Sequence, residues 1–316
     1  MKLLQAFLRL IRWQNLVFIV LTEFLFYYCI VLSAYEAQGI KAAWFLSPVF
    51  FVCLTISSVL IAAAGYIIND YFDLNIDQVN KPDAIVIQKI IKRRWAIFWH
   101  LCFSVIGVVI ALYVSWKIGN WVVAPVNLAC VFVLLFYSTT FKKKFLVGNI
   151  IISLLTAWVV FVLYFSELDL VTLTREPFYH AALNKIFKQA VLYGGFAFVI
   201  SLVREVVKDM EDIQGDEKYG CKTIPVVWGI PATKVFAGVW LVVLILSVFA
   251  MLIYAVMLGW YTAALFALLL IAVPLTLILR DLYNAASTKQ FHKISKWIKL
   301  VMLTGILSMV FFKWHI

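Results

Sequence analysis

The amino-acid sequence predicts an all-α integral membrane protein with nine transmembrane helices. Of its 316 residues, 65% are hydrophobic and only 14% are charged, whereas a soluble protein of this size needs a larger charged surface. The apolar residues form stretches near the roughly 20 residues that a spanning helix requires. No linker divides the chain, so we expect a single domain over residues 1–316. The predicted spans lie near residues 15–34, 44–68, 95–115, 121–137, 146–166, 188–203, 233–258, 260–279 and 297–313.

The basic residues concentrate on one side of the predicted membrane. If the N-terminus is cytoplasmic, 21 of the 27 Lys and Arg residues lie in cytoplasmic segments, as the positive-inside rule requires. The net charge of +11 then reflects topology and contact with anionic membrane lipids rather than a nucleic-acid partner. We therefore expect the N-terminus and the loops that follow the even-numbered spans to be cytoplasmic, and Ile316 to lie on the opposite face.

The second predicted span runs directly into an acidic segment, NDYFDLNID. Aspartate is costly close to hydrocarbon. If the helix continues past the membrane boundary, at about 100° per residue, the four polar side chains lie within an arc of about 100°. This first acidic motif consists of Asn69, Asp70, Asp73 and Asp77.

The sixth predicted span runs into a second acidic segment, REVVKDMEDIQGD, with the same periodicity. Four further spans separate it from the first segment, and an even number of crossings leaves both on one membrane face. A shared site would need this placement. The charged side chains on its one helical face are Glu205, Lys208, Asp209, Asp212 and Asp216.

The chemistry of the two segments favours a metal-bridged anion. Clustered carboxylates repel one another unless a positive charge lies between them, and Mg²⁺ usually takes one or two carboxylates together with phosphate oxygens and water. Cations for a diphosphate are also present. Lys142 follows a Tyr-Ser turn in YSTTFKKKFLVGN, and Arg204 lies one turn before Lys208. The neighbouring Lys143 and Lys144 are typical of positive-inside anchors.

Several motifs resemble those of the UbiA-type intramembrane prenyltransferase superfamily. NDYFDLNID is similar to its NDxxDxxxD signature, and DIQGD, from Asp212 to Asp216, is similar to its second DxxxD signature. The segment that begins at Tyr137 resembles the family's YSxxLKR-like segment, and RWQN at Arg12 resembles its N-terminal Arg-Pro-x-Asn. The resemblance extends over nearly the whole chain.

The resemblance implies a helical bundle around a central cavity and transfer of an isoprenyl group from a prenyl diphosphate through an allylic cation. It implies Mg²⁺, with Mn²⁺ as the alternative, held by Asn69, Asp70, Asp73, Asp77, Asp209, Asp212 and Asp216. The expected catalytic residues are Lys142, Lys208, Arg204 and Tyr137. The expected substrate-binding residues are Arg12, Asn15, Asn69, Lys81 and Glu205.

Within the superfamily, REVVKDMEDIQGD looks most like the digeranylgeranylglyceryl phosphate synthase branch. Glu205 and Lys208 depart from the DxxYxxxD pattern of the aromatic-acceptor branch, and a lysine beside the site suits an anionic acceptor such as a glycerol-phosphate ether. The alternative acceptor is an aromatic quinone or chlorin precursor, which would be prenylated on carbon. After NKP the segment over residues 83–94 lacks the family's usual Pro and Gly, so the loop over the site differs.

A cation-coupled membrane transporter is the alternative from another functional class. A transporter should carry ionisable groups in the middle of the membrane. Glu23 is the only candidate of this kind in the predicted spans, because the other carboxylates cluster at one face. The distribution of carboxylates therefore favours the enzyme.

Overall fold

The chain folds into long α-helices. The computed structural model describes residues 2–40, 43, 45–169 and 177–315, and no β-strand occurs among them. A π-helical segment occurs at Tyr27–Val31, and short 3₁₀ turns occur at Pro82–Ala84 and Phe141–Lys143. The helices are α1 (Lys2–Leu10), α2 (Trp13–Glu36), α3 (Pro48–Asn80), α4 (Arg93–Ile118), α5 (Val123–Thr139), α6 (Val147–Glu167), α7 (Pro177–Lys218), α8 (Ile224–Met257), α9 (Tyr261–Asn284), α10 (Thr288–Leu307) and α11 (Val310–His315).

Each of the nine predicted spans coincides with one of these helices. Within the described ranges, eight helical segments are long and apolar enough to cross a membrane. The remaining apolar helix, Val123–Thr139, has 17 residues and is shorter than a typical span. The all-α membrane architecture is therefore confirmed, whereas the count of nine spans stays a prediction.

The helix that contains the sixth predicted span extends well beyond it in both directions. Residues 188–203 are only the middle of α7, which has 42 residues and is the longest helix described. Charged residues such as Lys185, Lys188 and Arg204 lower the local hydropathy, but they do not interrupt backbone hydrogen bonding. Helix α7 consequently carries the second acidic segment without a break, and α3 does the same for the first.

The chain divides into two compact units, and the prediction of a single domain stays a prediction. Unit 1 comprises Met1–Lys142 and Trp158–Val191. In its core, α3 and α4 pack closely, and Ser57 of α3 donates a 2.7 Å hydrogen bond to the Gly107 carbonyl of α4. A Cβ at Gly107 would lie 2.9 Å from Ile61, so a larger residue would separate the helices.

A buried carboxylate ties together one end of unit 1. Glu167, the last residue of α6, accepts hydrogen bonds from the Tyr35 hydroxyl at 2.7 Å and from the Leu46 amide at 2.7 Å. The Tyr27 hydroxyl donates to the Leu46 carbonyl at 2.6 Å. These bonds satisfy the charge within the protein, as a buried carboxylate requires.

Unit 2 comprises Lys143–Ala157 and Leu192–Ile316. Its apolar core is formed mainly by α8, α9 and α10 together with the second half of α7. Helix α8 is kinked where Gly229 adopts φ 79° two residues before Pro231, which lacks the amide needed to continue the helix. The kink lies shortly after the loop that follows the second acidic motif.

Candidate active site

The first acidic motif occupies the C-terminal part of α3, in unit 1. Since the helix continues to Asn80, the polar side chains share one face as the sequence predicts. Asn69 and Asp73 are buried, and Asp70 and Asp77 are partly exposed. Three carboxylates and an amide at a solvent-accessible helix end provide oxygen ligands together with a route for a soluble anion.

Asp73 is the centre of the hydrogen-bonded contacts in this motif. Its Oδ2 accepts a 2.6 Å hydrogen bond from the side-chain amide of Asn69, one helical turn earlier. The same oxygen accepts a hydrogen bond and forms an ion pair with the Nζ of Lys142. Asp73 therefore holds an ammonium group beside the acidic face, in the position where a bound anion would need compensating charge.

Lys142 differs from the two lysines that follow it. Lys143 and Lys144 are exposed, whereas Lys142 is partly buried against Asp73. Burial by itself favours the neutral amine, but the carboxylate of Asp73 outweighs this effect and raises the pKa of Lys142 above the usual range of lysine. Tyr137 and Asp77 contribute in the same direction. Lys142 is thus protonated at neutral pH.

Arg12 contacts the same motif from the N-terminal side. Its guanidinium lies 2.7 Å from Asp70 Oδ1 and 5.2 Å from the centre of the Tyr66 ring. Arg12 adopts a left-handed conformation with φ 49° directly before α2, which is unfavourable for a residue with a side chain. The ion pair and the cation–π contact offset this strain and hold Arg12 over the motif.

The other predicted residues of unit 1 lie at helix ends. Asn15 is in the first turn of α2, and Tyr137 is in the last turn of α5. Lys81 caps α3, and its backbone amide donates to the Asp77 carbonyl at 2.8 Å. Substrate-binding roles for Asn15 and Lys81 stay predictions.

The divergent segment over residues 83–94 packs as an apolar layer beside α1. Val86, Ile87 and Ile91 are buried in one cluster with Leu10 of α1 and Leu74 of α3. Leu74 follows Asp73 directly, about 100° further around the helix, so this cluster supports the helix from a face adjacent to its polar face. Aliphatic packing thus stabilises a loop that lacks the family's usual Pro and Gly.

The second acidic motif lies in the C-terminal part of α7, in unit 2. Glu205 bridges two cations: Arg204 Nη1 is 3.0 Å from its Oε1, and Lys208 Nζ is 3.2 Å from its Oε2. Further along the same helix, Asp212 is partly buried and Asp216 is buried. The helix therefore presents cations first and carboxylates afterwards.

Asn149 is a site residue that the sequence interpretation missed. Its side-chain amide donates a 2.7 Å hydrogen bond to Asp209 Oδ2, and Asn149 itself is buried near the start of α6. The bond fixes the direction in which the Asp209 carboxylate points. Asn149 is the last residue of the segment YSTTFKKKFLVGN and stands at the beginning of an apolar helix. A polar side chain at such a position could have indicated a site residue.

The loop after α7 is attached to the Lys143 region of the same unit. The Lys222 amide donates to the Lys143 carbonyl at 2.9 Å, and the Cys221 amide donates to the Asp216 carbonyl at 2.9 Å. The rings of Phe145 and Trp228 lie 4.8 Å apart. These contacts hold the end of the second motif against residues 143–145 of the same unit.

The donor atoms of both motifs suit Mg²⁺ bound together with a phosphate. In the part of the chain that the structure describes, no group of three or more His, Cys, Asp or Glu side chains could hold a metal ion by itself. Asn69 Oδ1, however, is buried without a hydrogen-bond partner among those residues. Since Mg²⁺ commonly takes one or two carboxylates and completes its octahedron with phosphate oxygens and water, an all-oxygen set of this size fits.

Comparison with known proteins assigns the family. The family model described as the UbiA prenyltransferase family matches residues 24–300, which is most of the chain.

The chain belongs to the UbiA prenyltransferase family.

Relatives and solved structures agree with this assignment. The digeranylgeranylglyceryl phosphate synthase of Sulfurisphaera tokodaii is 30% identical over 265 residues, which cover 83% of this chain and 87% of that protein. A solved structure described as digeranylgeranylglyceryl phosphate synthase in membranes has a TM-score of 0.59 at 23% identity and covers 98% of this chain and 99% of its own. A UbiA homologue from Archaeoglobus fulgidus bound to DMAPP and Mg²⁺ has a TM-score of 0.54 at 15% identity, covering 96% and 99%. At these identities the two structures show the fold.

The UbiA assignment and the long apolar helices make the protein a multi-pass membrane prenyltransferase. Glu23, the residue that motivated the transporter alternative, is fully buried in α2. A prenyltransferase has no need of a carboxylate in the middle of the membrane for coupled transport. The assignment thus favours the enzyme over the transporter.

Proposed function

We propose that this UbiA prenyltransferase transfers an isoprenyl group from a prenyl diphosphate to a hydroxyl group of a glycerol-phosphate ether lipid. The observation that carries the proposal is the contact of Asp73 with both Lys142 and Asn69 at the end of an apolar helix. This contact combines oxygen ligands and a protonated amine where a lipid tail could extend beside α3. The name of the Sulfurisphaera tokodaii relative supports the choice of acceptor.

Two sets of side chains would hold Mg²⁺. The first set is Asn69, Asp70, Asp73 and Asp77, and the second is Asp209, Asp212 and Asp216. Mg²⁺ would neutralise charge on the diphosphate oxygens and so make the diphosphate a better leaving group. The Archaeoglobus fulgidus homologue, which contains a prenyl diphosphate together with Mg²⁺, supports this assignment.

The transfer exchanges one carbon–oxygen bond for another. The bond between the allylic carbon and the diphosphate oxygen breaks, and its electron pair leaves with the diphosphate. Lys142, already protonated, donates hydrogen bonds to the oxygens on which charge develops. The hydroxyl oxygen of the acceptor then bonds to the allylic carbon, and its proton passes to water or to the released diphosphate. Arg12 holds Asp70 in place throughout these steps.

The acceptor class is tested by mass spectrometry of the products. Purified protein is supplied with Mg²⁺, with prenyl diphosphates of 10, 15 and 20 carbons, and with three acceptors: a glycerol monoether phosphate, a hydroxybenzoate and a chlorin alcohol. We expect an O-prenylated glycerol-phosphate ether as the main product. A product prenylated on an aromatic carbon would instead establish the alternative acceptor, and absence of all products would overturn the proposed function.

We further propose that both acidic motifs face the cytoplasm. The division of the Lys and Arg residues, 21 against 6, supports this orientation. A cytoplasmic location also gives water-soluble diphosphates and Mg²⁺ direct access to the motifs, while a lipid product can leave sideways into the membrane.

Labelling of single cysteines should reveal this orientation. In a background without the five native cysteines, Gln78→Cys and Gln214→Cys place a thiol at exposed positions of the two motifs, and Thr172→Cys lies in the predicted opposite loop, outside the described residues. A membrane-impermeant thiol reagent on oriented vesicles should label the first two from the cytoplasmic side only and the third from the other side only. Labelling of Gln78→Cys and Gln214→Cys from different sides would contradict a shared site.

A further inference from the structure

Arg204, Glu205 and Lys208 form a compact group of charges immediately before the second acidic motif; we call this group the cationic clamp. Each oxygen of the Glu205 carboxylate contacts one cation, Arg204 at 3.0 Å and Lys208 at 3.2 Å. The clamp lies within about one turn of α7 and belongs to one rigid helical segment. Its geometry does not depend on a flexible loop.

The clamp carries more positive charge than its own carboxylate balances. The side chains of Arg204, Glu205 and Lys208 are 21%, 12% and 27% exposed, so water compensates their charges only in part. Within the clamp two cations share one carboxylate, which leaves a local charge of +1. The next residue, Asp209, adds a carboxylate that accepts its hydrogen bond from Asn149. An anion at the clamp would accept hydrogen bonds from both cations.

Hydrogen bonding at Arg204 is also incomplete. Its Nε is buried and has no hydrogen-bond partner in the described part of the chain. A buried donor without an acceptor costs about 1–3 kcal/mol, so an acceptor oxygen is expected when the site is in use. The guanidinium fork matches the spacing of two oxygens on a phosphate group.

We propose that the cationic clamp binds the phosphate group of the acceptor lipid, with phosphate oxygens accepting hydrogen bonds from Arg204 and Lys208. The inference rests on the proposed function and assigns to these residues the recognition of one chemical class, a phosphate monoester on a glycerol ether. Glu205 is a positioning residue, because it holds the two cations apart by the width of a carboxylate. A neutral acceptor would leave the clamp unused.

The clamp also determines where the acceptor hydroxyl lies. Asp209 follows Lys208 directly and lies four residues after Glu205, hence about one helical turn, or ~5.4 Å, further along the same face. In a glycerol monoether phosphate the free hydroxyl is on the carbon next to the phosphate-bearing carbon. A phosphate in the clamp thus places the hydroxyl close to the level of Asp209, whose carboxylate Asn149 orients.

The inference is tested with two acceptors that have the same alkyl chain: a glycerol monoether phosphate and the same monoether without phosphate. Arg204→Gln and Lys208→Met are compared with the native protein. Arg280→Gln is the matched control, because Arg280 also pairs with the next residue, Asp281, at 3.0 Å, but its side chain is 67% exposed. Kinetic constants are measured separately for acceptor and donor, and binding of each monoether is measured without donor or metal.

We expect each clamp variant to raise the KM of the phosphate acceptor about 10- to 100-fold, the usual effect of losing a charge-assisted hydrogen bond. The KM of the prenyl diphosphate donor should change less than about twofold, and kcat/KM should fall more for the phosphate acceptor than for the neutral monoether. Arg280→Gln should resemble the native protein. An increase confined to the donor KM would assign the clamp to the diphosphate. Equal losses of activity with both acceptors would show that the clamp does not recognise the phosphate group. Either result overturns the inference.

The binding measurement separates this inference from the proposed function. If the native protein forms no product with any acceptor, the proposed function fails, but preferential binding of the phosphate monoether, lost in the variants, still supports the clamp. Equal binding of both monoethers to the native protein overturns it. Folding of Arg204→Gln is judged by thermal unfolding in detergent. If this variant does not fold, Lys208→Met and Arg204→Lys decide the outcome. Arg204→Lys keeps the positive charge and loses only the paired donors of the guanidinium group.

Discussion

Asp73→Asn is expected to lower kcat by about 10³-fold while the protein remains folded. Asp73 is buried and accepts hydrogen bonds from both Asn69 and Lys142. The substitution keeps the size of the side chain and removes the charge that would hold Mg²⁺ and orient Lys142. Loss of one element of electrostatic stabilisation in a desolvated site typically costs 10² to 10³ in rate, and loss of a metal ligand adds to it. Steady-state kinetics with saturating Mg²⁺ measure the effect.

The asparagine variant is preferable to alanine at this position. Alanine would leave the Lys142 ammonium partly buried without its ionic partner, and the resulting loss of stability would confuse the interpretation. Asp83→Asn is the matched control, because Asp83 lies exposed just beyond α3 and should retain full activity. Near-native turnover of Asp73→Asn would show that the first acidic motif is only a solvated helix end without a catalytic role.

Removal of divalent metal should abolish activity. Each motif combines several carboxylates, and these would repel a diphosphate unless a cation neutralises them. With excess EDTA we therefore expect turnover to fall to background, and addition of Mg²⁺ or Mn²⁺ above the chelator concentration should restore it. EDTA already saturated with Mg²⁺ is the control for effects of the chelator itself.

Metal binding can also be followed without catalysis. Mn²⁺ gives an electron paramagnetic resonance signal that decreases on binding, and Asp73→Asn should weaken this binding by about tenfold or more, as loss of a direct ligand does. Undiminished turnover in EDTA would contradict a metal-assisted mechanism. Unchanged Mn²⁺ binding in Asp73→Asn would instead show that the metal binds outside the first acidic motif.

The all-α membrane fold could be predicted from the sequence because the bilayer imposes a simple rule. Backbone groups in hydrocarbon must be hydrogen-bonded internally, and apolar stretches of sufficient length therefore become helices. The extent of α7 could not be predicted in this way. Its ends carry charged residues, which hydropathy interprets as loop, although a helix can continue into water when tertiary contacts support it.

Part of the candidate site was also accessible from the sequence. The spacing of Asn69, Asp73 and Asp77 puts them on one helical face, because helical periodicity is a local property of the chain. Membership of the UbiA family then assigns the reaction class. That the two acidic motifs share one site is a prediction from their spacing, which the labelling experiment addresses.

The partners of these side chains were decided only by the tertiary structure. Periodicity could not show that Lys142, rather than Lys143 or Lys144, pairs with Asp73, which lies 69 residues earlier in the chain. Nor could it show that Asn149 orients Asp209. A local pattern determines which face of a helix is polar, but the contact between two side chains depends on how distant helices pack, and only the folded unit specifies that geometry.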